Sequence, residues 1–147
     1  MDAVQEIKNQ IYAYAERLDG GDIAGFASLF EHAMFRTHGV DHEWRGAEAI
    51  QKLIQDVVPF YAGVPATKHV ITNVIVEMDE SGETASARSY FTVFQSVQDF
   101  PLQPILAGRY HDRFQQIDGR WRYVDHLIFL DLFGDTRFHV KGAPGSE

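Results

Sequence analysis

Histidines, carboxylates and tyrosines are the side chains of this chain that could do chemistry. The 147 residues include seven histidines and six tyrosines but no cysteine, which excludes a thiolate nucleophile, a disulfide and a cysteine metal site. The sequence contains no G-x-S-x-G elbow, phosphate-binding loop or G-x-G-x-x-G turn, and His42-Glu43 lacks the second histidine of a zincin helix. The composition therefore favours general acid–base catalysis.

Three positions combine a suitable side chain with an informative setting. Tyr14 lies on the apolar face of a predicted helix, so its hydroxyl points inward and needs a partner. Asp19 precedes a glycine pair, where an aspartate is commonly only a turn residue. His69 alternates with Ile71 and Ile75 along a predicted strand, and burial there favours a neutral imidazole that can act as a base. A lone histidine on such a face is more often a hydrogen-bonded core residue.

Other histidines are further candidates. His38 is predicted in a short first strand and His126 in the last strand. The His111-Asp112 pair has an arginine on each side, but adjacent strand residues point to opposite faces, so these four side chains cannot line one site. The sequence indicates no metal site and no cofactor.

Three helices are predicted before the main sheet. The first carries a 3.6-residue apolar period up to Leu18 and stops at a glycine pair, and Asp22 is the predicted N-cap of a short second helix. The third begins at Gly46 and stops at Pro59. Between the second and third, residues 33–45 suit two short strands.

Four long runs rich in β-branched and aromatic residues follow, near 67–78, 84–98, 105–117 and 120–131. Pro101 and Pro104 are read as turn signals between the second and third runs. Helices first and an antiparallel meander afterwards predict an α+β fold with helices on one face of the sheet. We expect one domain over residues 1–140 and a flexible tail over 141–147.

Charge and hydropathy exclude several classes of partner. The net charge of −8 disfavours nucleic acid, and no apolar stretch is long enough to span a membrane. The charged amino terminus does not resemble a signal peptide, so we expect a cytoplasmic protein.

Four sequence motifs resemble one family across nearly the whole chain. They are Y-x-x-x-x-D-x-x-D from Tyr14, K-H-x-x-T-N from Lys68, G-R-Y-H-D-R-F from Gly108 and I-D-G-R-W-R-Y at 117–123. Together with the element order, they resemble SnoaL-like proteins of the nuclear transport factor 2-like superfamily. The resemblance implies a cone in which a strongly curved sheet wraps around the helices and encloses a pocket, often in homodimers that pack through the outer sheet face.

The resemblance also implies roles for individual residues. Asp19 and His69 match the Asp–His dyad of the superfamily's dehydratases and dehydrochlorinase, in which aspartate orients the imidazole and histidine abstracts a proton. Tyr14 matches a tyrosine that polarises a substrate oxygen in bile acid dehydratase and ketosteroid isomerase.

Other residues match pocket positions of the family's known enzymes but differ from those enzymes in residue type. His38 falls near the position of the carboxylate base of ketosteroid isomerase, and His126 matches an arginine of the dehydrochlorinase. Tyr110 aligns with a pocket asparagine of scytalone dehydratase, whose second histidine falls near Phe94 here. These departures argue against scytalone itself as the substrate.

The leading hypothesis is a cofactor-independent lyase or isomerase for a small, largely apolar cyclic or aromatic molecule, with His69 as base, Asp19 as its orienting carboxylate and Tyr14 as acid. His38, Tyr110, His126 and Trp44 are expected to line the substrate pocket. Further aromatic residues that could wall it are Phe26, Phe30, Phe35, Tyr90, Phe91 and Phe129.

Two alternatives stay open. The same fold can serve as a non-catalytic small-molecule binding or assembly module. It can also carry a polyketide cyclase or epoxide hydrolase reaction that uses Asp112 or Asp125 more centrally. An Asp19–His69 hydrogen bond that opens onto a cavity favours catalysis, whereas a sealed dyad favours a structural role.

Overall fold

The computed structural model describes residues 1–143, so the predicted tail falls partly outside the described residues. Three helices precede the long strands: α1 (Ala3–Asp19), α2 (Ile23–Ser28) and α3 (Gly46–Val57). Six strands form one sheet: β1 (Met34–Thr37), β2 (Glu43–Arg45), β3 (Thr67–Met78), β4 (Thr84–Val97), β5 (Phe100–Ile117) and β6 (Arg120–Phe133). The described residues contain no helix that is both long and apolar enough to cross a membrane.

The predicted end of α1 before the glycine pair and the predicted N-cap of α2 at Asp22 are both confirmed. Asp2 caps α1 by accepting from the backbone of Gln5, and Asp22 caps α2 by accepting from the backbone of Gly25. Between the helices, Gly21 adopts a positive φ of 79°, and a side chain there would collide with the carbonyl of Gly63. The glycine pair therefore sets the corner directly after Asp19.

The sheet is open, with strand order β2-β1-β6-β5-β4-β3, and it is curved around the helices. All neighbours are antiparallel except β1 and β6, which are parallel. The long connection between these two strands, through β2, α3 and β3–β5, allows the parallel pairing. Register shifts interrupt the β3–β4, β4–β5 and β5–β6 pairs, and such bulges bend a sheet. One face packs on the helices and holds the core.

The predicted turn at Pro101 and Pro104 is wrong. Both prolines lie inside β5, and the turn occurs before them, where Asp99 has a positive φ of 61°. This first part of β5 pairs only with β4, since its pairing with β6 begins at Leu106. A strand segment with one free side tolerates residues that lack an N–H donor.

The segment after β6 folds back across the helical side of the sheet. The Phe138 carbonyl accepts hydrogen bonds from the Tyr61 hydroxyl, at 2.6 Å, and from Gln95 Nε2, at 3.0 Å. Lys141, expected to begin a flexible tail, instead donates its backbone N–H to the Val57 carbonyl at 2.8 Å. The flexible tail stays a prediction for the residues beyond this hydrogen bond.

Candidate functional site

The Asp19 carboxylate and the His69 imidazole form a hydrogen-bonded pair at the junction of α1 and β3. Asp19 Oδ1 lies 2.7 Å from His69 Nδ1, and Asp19 Oδ2 accepts the backbone N–H of His69 at 2.7 Å. The Thr67 hydroxyl also donates to Asp19 Oδ1, at 2.8 Å. A carboxylate on Nδ1 favours the tautomer that carries its proton there, which leaves Nε2 free to accept a proton.

Burial and hydrogen bonding act in opposite directions on the Asp19 carboxyl. Burial by itself raises its pKa, but the hydrogen bonds and charge of His69, together with the bond from Thr67, outweigh it and hold the pKa below its ordinary value. Asp19 is therefore ionised at neutral pH, and it stabilises a positive charge on His69 when the imidazole takes up a proton.

Tyr14 lies one helical turn before this pair, on the buried face of α1. Its ring centroid is 6.1 Å from that of His69 and 5.2 Å from that of Tyr110. Burial raises the pKa of Tyr14 well above its ordinary value, against the opposing effect of a hydrogen bond from Tyr110. Tyr14 therefore remains a neutral phenol, which is the form that can donate a hydrogen bond to a substrate oxygen.

A second carboxylate–imidazole pair lies in the same interior. Asp112 on β5 and His126 on β6 are direct cross-strand partners, and Asp112 Oδ1 lies 2.5 Å from His126 Nδ1. Burial raises the pKa of Asp112, although the charge and hydrogen bond of His126 oppose that rise. The alternation rule correctly separates Asp112, which points inward, from the exposed His111. Alternation alone did not identify His126 as the partner of Asp112.

His139 reaches the site from the segment after β6, and sequence reasoning missed it. Its ring centroid lies 6.0 Å from that of His69, and its side chain is buried. Burial and the nearby charge of His69 lower the pKa of His139 to about 4, although Asp19 acts the other way. No periodic pattern surrounds His139 in the sequence, so only the tertiary contacts of the segment reveal its place.

Buried polar atoms without partners are concentrated around these groups. Each such atom costs about 1–3 kcal/mol if nothing satisfies it, which makes a cluster of them a mark of a ligand-binding or water-binding interior. Among the described side chains, they are Ser89 Oγ, Gln95 Oε1, Asp112 Oδ2, His126 Nε2 and His139 Nδ1.

Several residues predicted for the pocket lie elsewhere. His38 lies outside the interior, because β1 ends at Thr37 and the exposed His38 ring stacks on Phe129 with the ring centroids 4.9 Å apart. Tyr90 also points outward and is 54% exposed. Trp44 lies on the edge strand β2, in contact with His42. Tyr110 and His126, in contrast, both contact Tyr14.

The dyad is sealed in this structure. The His69 and Asp19 side chains are only 5% and 8% exposed. Neither Tyr14, Asp19 nor His69 lines the surface cavities identified around β1, α2 and the outer sheet face. One of these cavities, of about 640 Å³, lies around His38 and His42. Within the described part of the chain, no cluster of three or more acidic, histidine or cysteine side chains could hold a metal ion.

The helices, the curved sheet and the buried acid–base groups define a small α+β domain of the nuclear transport factor 2-like class. The chain belongs to the SnoaL-like domain family, whose model matches residues 1–125. No curated protein matches the chain significantly.

Solved structures resemble this fold at low sequence identity. A nuclear transport factor 2-like protein with a cystatin-like fold from Novosphingobium aromaticivorans has a TM-score of 0.72 and 23% identity, over 86% of this chain and 80% of its own. A protein provisionally named a scytalone dehydratase, from the same organism, has a TM-score of 0.71 and 21% identity, over 90% and 86%.

A third structure from that organism is provisionally named the beta subunit of an aromatic-ring-hydroxylating dioxygenase. Its TM-score is 0.71 with 19% identity, over 92% of this chain and 94% of its own. Identities this low establish the shared fold and leave the reaction open.

Proposed function

We propose that this protein is a cofactor-independent lyase or isomerase that abstracts a proton from a small cyclic molecule. His69 is the base, Asp19 orients it and stabilises its protonated form, and Tyr14 donates a hydrogen bond to the substrate oxygen. The observation that carries the proposal is the 2.7 Å contact between Asp19 Oδ1 and His69 Nδ1, beside a buried neutral phenol.

The reaction follows from where charge moves. His69 Nε2 takes a proton from the carbon next to a carbonyl, and the electron pair of the C–H bond moves into an enolate whose oxygen is stabilised by the Tyr14 hydroxyl. If His69 returns the proton to another carbon, the result is isomerisation. If a β-hydroxyl leaves instead, it takes up the proton that His69 holds and departs as water, as the enolate electrons form the C=C bond. Each such hydrogen bond contributes a few kcal/mol to the transition state.

For a substrate to reach Asp19 and His69, part of the structure that buries these two side chains must move. The segment that carries His139 is one such part, since it lies against His69 and is fixed by side-chain contacts to the Phe138 carbonyl. Opening of such segments on the microsecond-to-millisecond scale is common among enzymes that exclude water from the reaction.

A deuterium-exchange experiment tests the proposal. The protein is incubated in D₂O with a panel of cyclic ketones, and mass spectrometry measures deuterium uptake at the carbon next to the carbonyl. We expect wild-type protein and His111→Gln to accelerate the exchange and His69→Gln to lose the acceleration. His111 is the matched control because it is an exposed histidine on the outer sheet face. If wild type exchanges no faster than His69→Gln, the enzymatic proposal fails.

The closed interior favours a second candidate, a binding or assembly module of the same fold. One structural neighbour is provisionally named a beta subunit, which supports this candidate. This candidate predicts ligand binding or subunit association without any exchange dependent on His69. The expected homodimer or higher homo-oligomer also stays a prediction, which size-exclusion chromatography with light scattering would test.

A further inference from the structure

Asp112 and His126 form a pair that the proposed reaction does not use. They lie directly opposite each other on β5 and β6, and their side chains are 0% and 1% exposed. Their contact of 2.5 Å between Asp112 Oδ1 and His126 Nδ1 is the closest carboxylate–imidazole approach among the described residues. A polar pair this deeply buried is costly unless it is fully hydrogen-bonded.

This pair is not fully hydrogen-bonded. His126 Nε2 and Asp112 Oδ2 have no partner, and the imidazole is packed among aromatic rings, with Phe30 and Phe35 at centroid distances of 5.4 and 5.0 Å. Apolar side chains in both positions would pack without that cost. The unsatisfied ring nitrogen therefore indicates a position where a polar group of a ligand belongs.

The chemistry of that position follows from the hydrogen bond on the other ring nitrogen. With Nδ1 held by the carboxylate, Nε2 is the ring atom left to bind a ligand, and a partner that can both donate and accept a hydrogen bond suits it whichever nitrogen carries the proton. A hydroxyl group has both capacities, so it is the group of a small cyclic molecule that fits this position.

Tyr14 connects this position to the proposed reaction centre. Its ring centroid lies 5.0 Å from that of His126 and 6.1 Å from that of His69. Because two strands separate β3 from β6 in the sheet, the two imidazoles approach Tyr14 from different parts of the interior. A molecule whose oxygen meets Tyr14 can therefore meet His69 with one carbon and His126 with a group farther along its ring.

We propose that the Asp112–His126 pair is a substrate-binding pair whose Nε2 atom forms a hydrogen bond with a hydroxyl group, so that the substrate class is a cyclic ketone with a hydroxyl on the far side of its ring. This inference rests on the proposed function, in which Tyr14 binds the carbonyl oxygen and His69 takes the proton. Asp112 acts through His126 as a positioning residue.

Two matched probes test the inference: cyclohexanone and its analogue hydroxylated at the carbon opposite the carbonyl. Binding to the full chain is followed by nuclear magnetic resonance of ¹⁵N-labelled histidine side chains, which reports His69 and His126 separately. We expect wild-type protein to bind the hydroxylated probe about tenfold more tightly, the value of one net hydrogen bond, with a shift of the His126 Nε2 signal. His126→Phe should lose this preference, and His111→Gln should keep it.

His69 provides the internal check on folding. In His126→Phe, a His69 signal that still responds to cyclohexanone shows that the remainder of the site is intact. His126→Gln, which retains an acceptor oxygen, should recover part of the preference.

The outcomes separate the two proposals. If cyclohexanone shifts His69 but the hydroxyl brings no preference, or if His126 signals never respond, the inference fails and the proposed function stands. A His126 nitrogen that is satisfied by a buried water alone would give that result. If the hydroxylated probe shifts His126 while neither probe shifts His69, the hydroxyl site stands and the proposed function fails. If neither probe binds, both fail.

Discussion

Asp19 holds His69 at two points, through the ring nitrogen and through the backbone N–H, each at 2.7 Å. The side chain of His69 therefore cannot rotate away from Asp19 without losing a hydrogen bond, and the strand that carries it cannot shift without losing the other. This double contact makes the carboxylate important for stability as well as for the proposed chemistry.

Asp19→Asn should change how the free energy of unfolding depends on pH. Because the pKa of Asp19 is lower in the folded than in the unfolded state, its stabilising contribution is complete above the unfolded value of about 4 and is lost as pH falls through the folded value. Urea unfolding at a series of pH values should show this loss in wild type but not in the variant. Asp56→Asn, at an exposed carboxylate on α3, is the control. Parallel curves for wild type and Asp19→Asn would contradict the pKa assignment.

His139→Gln should remove a different part of the pH dependence. The pKa of His139 falls from an ordinary 6.5 to about 4 in the fold, so the unfolded state binds the proton more readily between these values. Wild type should lose about 3 kcal/mol of stability relative to the variant as pH falls from about 6.5 to 4, or its C-terminal segment should open locally. Amide hydrogen exchange at residues 136–141 distinguishes the two. His32→Gln, at an exposed histidine, should leave the dependence unchanged.

Tyr14→Phe should show whether Tyr14 contributes mainly through the packing of its ring or through the hydrogen bond of its hydroxyl to the substrate oxygen. The ring contacts with Phe26 and His126 remain, while the hydroxyl partner of Tyr110 is lost, so the free energy of unfolding should fall by only about 1 kcal/mol. Deuterium exchange on the responsive ketone should slow about 100-fold. Tyr12→Phe, on the exposed side of the same helix, should affect neither quantity. An unchanged exchange rate in Tyr14→Phe would exclude the phenol as the oxygen ligand.

Gly108→Ala should show how tightly the curved sheet is packed. A methyl group at this position in β5 would collide with the Phe129 carbonyl and the Phe91 ring. We expect a loss of more than about 2 kcal/mol in thermal or urea unfolding. Gly39→Ala meets open space and is strained only by its φ of 84°, so about 1 kcal/mol should be lost there. Equal losses would show that the sheet relaxes around Gly108.

The elements that carry their own local signals could be predicted from the sequence. The apolar period and the glycine pair correctly place the end of α1 at Asp19, and the β-branched run correctly begins β3 at Thr67. The resemblance then links the two elements through Asp19 and His69, a contact between residues 50 positions apart. Local pattern alone could not have joined them.

The positions of the other buried polar groups could not be predicted, because they depend on strand register and on tertiary contacts. To predict that Asp112 lies opposite His126, one must know that a bulge falls between Arg113 and Phe114, and no local sequence signal gives its position. His139 is placed by hydrogen bonds to the carbonyl of its neighbour Phe138. The burial of both histidines follows from these long-range contacts.

The backbone bond from His69 to Asp19 has a consequence for how the protein avoids self-association. β3 is an edge strand of the sheet, and an edge strand with free N–H groups is a template for pairing with another chain. Asp19 occupies one of these donors with a negative charge, which blocks a neighbouring strand at that point. This hydrogen bond gives Asp19 a second role, the protection of an edge strand, that does not depend on the proposed chemistry.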